Sequence, residues 1–326
     1  SIVRASGNPS GAASVNFTVT FSKSVTGVDT ADFSVANAGT TVIGASVTSV
    51  TGTGLTRTVA VNTGTGSGTL RLDLIDNDSI MDAVGNPLGD VGLGNGDYLL
   101  GQSYTIDKTP PTVVSIVRRT GFTDPNRGNS VEFTVTFSEV VTAVDRFDFS
   151  VANAGTTVIG ASITSVAGTG ATRTVVVSTG TGDGTLRLDL IDNDTIRDSY
   201  TNQLGGPGLV NGDFTTGQTF TIDKTVPTVV SIVRASADPS SAATVNFTVT
   251  FSEIVTGVNG TDFSVTNAGT TVTGASVTSV GGTGAIYTVT VNTGTGSGAL
   301  RLDLIDNDSI RDTATNRLGG TGTGNG

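Results

Sequence analysis

Carboxylates are the chemistry-bearing side chains this chain holds in quantity. Its 326 residues include 28 acidic ones, all Asp except Glu132, Glu139 and Glu253, and neither His nor Cys. Without those two types there is no Ser–His–Asp triad, no thiol nucleophile, no ordinary zinc or copper site and no usual haem ligation. Disulfides are excluded as well. What remains is oxygen chemistry: coordination of a hard cation, or acid–base work by paired carboxylates. The densest group is Asp73, Asp76, Asp78 and Asp82, with Asn77 and Asn86 between and after them. It recurs as Asp189, Asp192, Asp194 and Asp198, and again as Asp303, Asp306, Asp308 and Asp312.

Short carboxylates this close repel one another unless a cation or their own backbone satisfies them. Calcium takes six to eight oxygens from such groups in flexible geometry, so these twelve Asp are candidate calcium ligands. The spacing is not that of an EF-hand, which needs a Gly at loop position 6 and a Glu at position 12. The competing expectation is that the Asp and Asn residues make Asx-turns and cap a short helical turn near Ile80–Val84. Asp107 and Asp223, beside prolines, are further candidates for a cation at a junction, unless the adjacent Lys108 and Lys224 satisfy them.

Paired carboxylates about 5–10 Å apart also hydrolyse glycosides. Here the same set recurs three times, and three equal active sites along small domains are not expected; no enzyme is predicted. Glycan binding would call for an aromatic platform, yet Trp is absent and there are only four Tyr. The three Lys do not recur at an inward core position, which argues against an isopeptide crosslink. Arg118, Arg119, Phe122 and Arg127 distinguish one copy near its first turn, as a contact patch or as ordinary loop variation.

The elements that must position these groups repeat. FTVTFS occurs at 17–22, 133–138 and 247–252, and LRLDLIDND at 70–78, 186–194 and 300–308. The period exceeds the 20–50 residues of solenoid repeats and is the size of a whole domain. The expected domains are residues 1–109, 110–225 and 226–326. TIDKTPPTVVSIVR (105–118) and TIDKTVPTVVSIVR (221–234) join them. Pro110, Pro111 and Pro227 fix φ and donate no hydrogen bond, so the joints read as stiff.

Within each copy, apolar residues alternate with polar ones, as in Val15, Phe17, Val19 and Phe21 or Leu70, Leu72 and Leu74. A period of two marks strands buried on one face. With runs through Phe33–Val35, Thr40–Val50, Val59–Val61 and Tyr104–Ile106, this predicts about seven strands per copy and no long helix. Phe17, Phe21, Phe33 and Leu72 are the expected core anchors. The fold class is all-β: three tandem immunoglobulin-like β-sandwiches, without the Cys and Trp marks of antibody domains. The third copy ends at the equivalent of Gly96 and so lacks the counterpart of Tyr104–Asp107. Continuing repeats of the same chain or a neighbouring copy are the expected ways to complete it.

These motifs resemble bacterial Ig-like repeats. The resemblance rests on FSExV, DFSV, the LxLxDNDxIxD stretch, DAVGNPLG (82–89) with its counterparts DSYTNQLGG and DTATNRLGG, and TIDKTPPT. It covers all three copies, although Thr201 and Thr315 replace the Gly of GNPL, and Lys23 stands where the other copies have Glu139 and Glu253. The resemblance implies a secreted structural or adhesive role, as in large adhesins, surface-layer proteins and extracellular fibres. The net charge of −11 argues against nucleic acid, and no apolar run is long enough for a membrane span. The expectation is a structural, non-enzymatic segment of a bacterial extracellular filament or cell-surface fibre, stiffened by calcium. Its partners would be copies of itself, end to end or laterally. The alternatives are the stalk of an adhesin whose binding tip lies elsewhere, or a glycan-binding module.

Overall fold

The computed structural model describes residues 1–37, 41–153, 157–268 and 271–326. In the first repeat the strands are β1 (Ile2–Arg4), β2 (Ser14–Thr26), β3 (Phe33–Ala36), β4 (Ser46–Thr51), β5 (Gly54–Asn62), β6 (Gly68–Leu74), β7 (Met81–Asp82) and β8 (Ser103–Ile106). One sheet runs β1-β2-β5-β4, with β7 paired to the end of β2; the other runs β3-β6-β8. All of these pairings are antiparallel. Residue 40 of the Thr40–Val50 run lies outside the described residues; the strand in that run begins at Ser46.

The inward faces of the two sheets meet in the core. Val15, Phe17 and Val19 of β2 face Leu70 and Leu72 of β6, all at most 2% exposed. Phe17 and Tyr104 join the sheets edge to face at 5.0 Å between ring centroids, and Phe133 and Phe220 repeat the contact at 5.3 Å. Such pairs add to the burial of both rings. Three separate apolar clusters result, one within each repeat.

The second repeat reproduces both sheets, including a last strand at Thr219–Ile222. In the third repeat, Phe263–Ala268 and Ala299–Leu304 form a two-stranded sheet with no third strand among the described residues. The absent position is the one the repeat alignment leaves unfilled.

Several local expectations need correction. The Ile80–Val84 segment contains no helical turn: Met81–Asp82 is a short strand, closed by a tight turn. Phe21 is only half-buried, whereas Phe137 and Phe251 are 2% exposed. Phe137 and Phe251 lie opposite Val113 and Val229, and the counterpart of those valines would precede Ser1. Each DFSV motif opens with a one-turn 3-10 helix, Thr30–Asp32 in the first repeat, which the strand pattern does not reveal.

Candidate cation sites at the repeat junctions

The Asp-rich loops first satisfy themselves. Asp73 takes Arg71 in a forked pair, Nε to Oδ1 at 2.6 Å and a terminal nitrogen to Oδ2 at 2.9 Å; Asp189 and Asp303 do the same with Arg187 and Arg301. Asp76 is 3% exposed and accepts the backbone N–H groups of Asp78 and Gly96. Asp78 sits at φ 63° and accepts from Gly92 N. Asp192, Asp194, Asp306 and Asp308 repeat these contacts with their own loops. For these residues the turn chemistry expected from Asp and Asn is present.

The buried Asp of DFSV was not singled out by the sequence reading. Asp32, Asp148 and Asp262 are at most 1% exposed. Each accepts from the backbone N–H at the start of its 3-10 turn and from a hydroxyl of the Asp loop: Ser79, Thr195 or Ser309, at 2.6–2.8 Å. They tie that turn to the loop. Burial pushes Asp148 upward, against the lowering effect of those hydrogen bonds. The recurrence of DFSV was the available signal.

The fourth Asp of each set behaves differently. Asp82 Oδ1 accepts from Val84 N and Asn86 N, while Oδ2 accepts from the Asn86 amide at 3.0 Å. These bonds hold its carboxyl well below the ordinary range, with Lys23 adding to them. Asp198 and Asp312 make the same turn bonds through Asn202 and Asn316. They are also drawn into a larger group, since Asp107, Glu139 and Asp198 bring ligand oxygens within 4.8 Å of one another. Asp223, Glu253 and Asp312 do so at the next junction.

Each group spans two repeats. Asp107 and Asp223 end one repeat; the other two members belong to the next. Asn202 donates its amide to Asp107 O at 3.1 Å, and Asn316 to Asp223 O at 3.0 Å. The junction is close-packed as well. A Cβ on Gly11 would lie 2.4 Å from the Tyr200 carbonyl oxygen. At the second junction Arg127 takes the place of Gly11, and its Nε donates to Thr315 Oγ1 at 3.0 Å, beside Ala314 where the first has Tyr200.

Like charges and desolvation raise these acids. Burial pushes Glu253 up to about 7, helped by Asp312, Asp223 and Asp183. Glu139 is raised by burial and then by Asp198 and Asp107. Asp223 is raised by burial and then by Asp312 and Asp183. The donor set is all carboxylate oxygen, which suits calcium or magnesium rather than zinc or copper. Of the twelve Asp predicted as ligands, Asp198 and Asp312 enter these groups. Glu139 and Glu253 enter too, although Lys23 at their position in the first repeat spoke against a shared role.

No family model and no curated protein matches the chain. Among solved structures it is similar to the Escherichia coli adhesin FdeC, at 14% identity over 94% of this chain and 90% of that one, with a TM-score of 0.41. It is also similar to domains 1–6 of the surface layer protein SbsC, at 17% identity and a TM-score of 0.21. That match covers 93% of this chain and 52% of the other, so the chain spans about half of the SbsC structure's length. None of these likenesses transfers an activity or a partner. Among the described residues, no helix is long and apolar enough to cross a membrane.

Proposed function

We propose that this chain is a non-enzymatic structural segment of a bacterial extracellular filament or cell-surface fibre, with calcium stiffening the joints between three tandem Ig-like sandwiches. The observation that carries the reading is the repetition of one joint. The same three-carboxylate group, with the same Asn-to-carbonyl bond, is built twice from the end of one repeat and the body of the next. A joint repeated in this way suits a chain whose work is to hold its units in a fixed spatial order. The units correspond to residues 1–109, 110–225 and 226–326.

A divalent cation supplies the positive charge that this oxygen set lacks. Asp107, Glu139 and Asp198 would hold it at the first joint, and Asp223, Glu253 and Asp312 at the second. The first repeat supports this assignment from within the chain. Lys23 replaces the Glu, and its ammonium meets Asp82 at 3.2 Å. A cation therefore stands beside this turn where no preceding repeat contributes an Asp. The Asp loops have their carboxylates engaged by backbone and Arg partners, which favours a structural over a hydrolytic role.

Electron microscopy of the native material, prepared with calcium and again after chelation, tests the proposal. Continuous filaments with a domain-sized repeat are expected. Isolated short rods would favour the stalk of an adhesin, and the search for binding would move to its tip. Units freely hinged in both preparations would overturn the stiff-joint reading.

A further inference from the structure

In the first two repeats the last strand is gripped along both edges. β8 pairs antiparallel with β6, Leu70 opposite Tyr104 and Gly68 opposite Ile106. Its other edge meets Ser10: Ser10 N donates to Thr105 O at 2.9 Å, and Asp107 N to Ser10 O at 3.0 Å. Thr219–Ile222 lies in the same way between Gly184–Arg187 and Asn126. The side-chain readout also repeats. Tyr104 and Ile106, or Phe220 and Ile222, point inward at no more than 1% exposure. Arg4 and Arg118 donate to the carbonyls of Ser103 and Thr219 at 2.7 and 3.2 Å. Lys108 and Lys224 donate their ammonium groups to Gly64 O and Gly180 O.

The third repeat has both walls of this slot and nothing between them among the described residues. Ser236–Ala243 and Gly298–Leu300 flank a groove of about 630 Å³ floored by Val245 and Phe247. Phe247 is 7% exposed, against 0% for Phe17 and Phe133. Val245 and Leu300 are half-buried where their counterparts Val131 and Leu186 are fully enclosed. Arg234, the counterpart of Arg118, stands at the rim paired with Asp238. Gly294, the counterpart of the carbonyl that receives the Lys, lines the far end.

We propose that the third repeat is a strand acceptor, which captures an extended segment of a separate polypeptide with the pattern aromatic–Thr–Ile–Asp–Lys. An exposed sheet edge gives affinity through main-chain bonds, and pockets for alternate side chains give specificity. The aromatic ring lies against Phe247, the Ile fills the position two residues on, and the Lys reaches Gly294 O. The two such segments within residues 1–326 already fill the first and second repeats, so the occupant comes from outside these residues. Both walls stand without it, so a separate strand meets a preformed site. The inference rests on comparing the repeats and is independent of any cation.

The test titrates the full 326-residue chain with a labelled peptide of the sequence of residues 217–225. Saturable one-to-one binding is expected, with slowed hydrogen exchange at Ala299–Arg301 and no change at β6. The same peptide with Phe220→Asp should bind at least about ten-fold more weakly, since it loses a buried ring. The variant Arg301→Cys should crosslink to a peptide carrying Cys at the Thr219 position, the register of Arg187 and Thr219. Absence of saturable binding, or equal binding of the Phe220→Asp peptide, would overturn the proposal. So would stabilisation seen only when the segment is fused behind Gly326, because the strand would then act within its own chain.

Discussion

Lys23 places its ammonium 3.2 Å from the Asp82 carboxylate, at the sequence position where Glu139 and Glu253 bring a third carboxylate to Asp198 and Asp312. One position thus carries opposite charges in successive repeats. The sign follows the surroundings: where a preceding repeat adds Asp107 or Asp223, the position is acidic and the group is a cation site; where none does, the chain supplies its own cation.

Calcium should therefore raise the melting temperature, and chelation should lower it. At ten times the dissociation constant each site would contribute about 1.4 kcal/mol. The pair Glu139→Gln and Glu253→Gln should remove most of the response in calorimetry. Asp78→Ala should lower the melt equally with and without calcium, because Asp78 serves its own loop. A calcium response that survives the Glu pair but vanishes in Asp78→Ala would move the site into the Asp loops.

Without calcium, stability should fall as pH rises through the acid range. The folded state holds the Glu253 proton up to about 7, against 4.5 when unperturbed. A raised carboxyl favours folding fully below the unfolded value, and this contribution is lost as pH climbs toward the folded one. The window is about pH 4.5 to 7, and Glu139 and Asp223 shift in the same direction. Melting curves in chelator should show the decline, and Glu253→Gln should flatten it. A flat wild-type profile would contradict the crowding of charge at the joint.

Gly11→Val should loosen the first joint and leave the second unchanged. The new side chain meets the Tyr200 backbone, and overpacking of this kind costs about 1–3 kcal/mol. Small-angle scattering should show a wider spread of lengths for this variant. An unaltered rod would mean that the contact does not hold the joint.

Core truncations should rank by enclosure. Phe133→Ala should cost about 3–5 kcal/mol, since Phe133 is fully buried. Phe21→Ala should cost clearly less, because Phe21 is half-buried. Tyr104→Phe should cost about 1 kcal/mol, as its hydroxyl donates to Asn16 O at 2.8 Å and accepts from Ser6 N at 2.6 Å. Denaturant unfolding of each variant measures the order.

Much of this structure is written in local pattern. The alternation through Val15–Phe21 and Leu70–Leu74 dictated strands with one buried face, because successive side chains in a strand point to opposite sides. The repetition of FTVTFS and LRLDLIDND announced three cores, and the absence of His and Cys confined the chemistry to oxygen. Which carboxylates meet was decided only by tertiary structure. Asp107, Glu139 and Asp198 are far apart in the chain and converge because the proline joint docks the end of one repeat onto the body of the next. Periodicity reports which face of a strand is buried, but not which residues of two separate domains approach each other. For the same reason the twelve Asp looked alike in sequence, while ten of them are satisfied within their own repeats and Asp198 and Asp312 also face a neighbour.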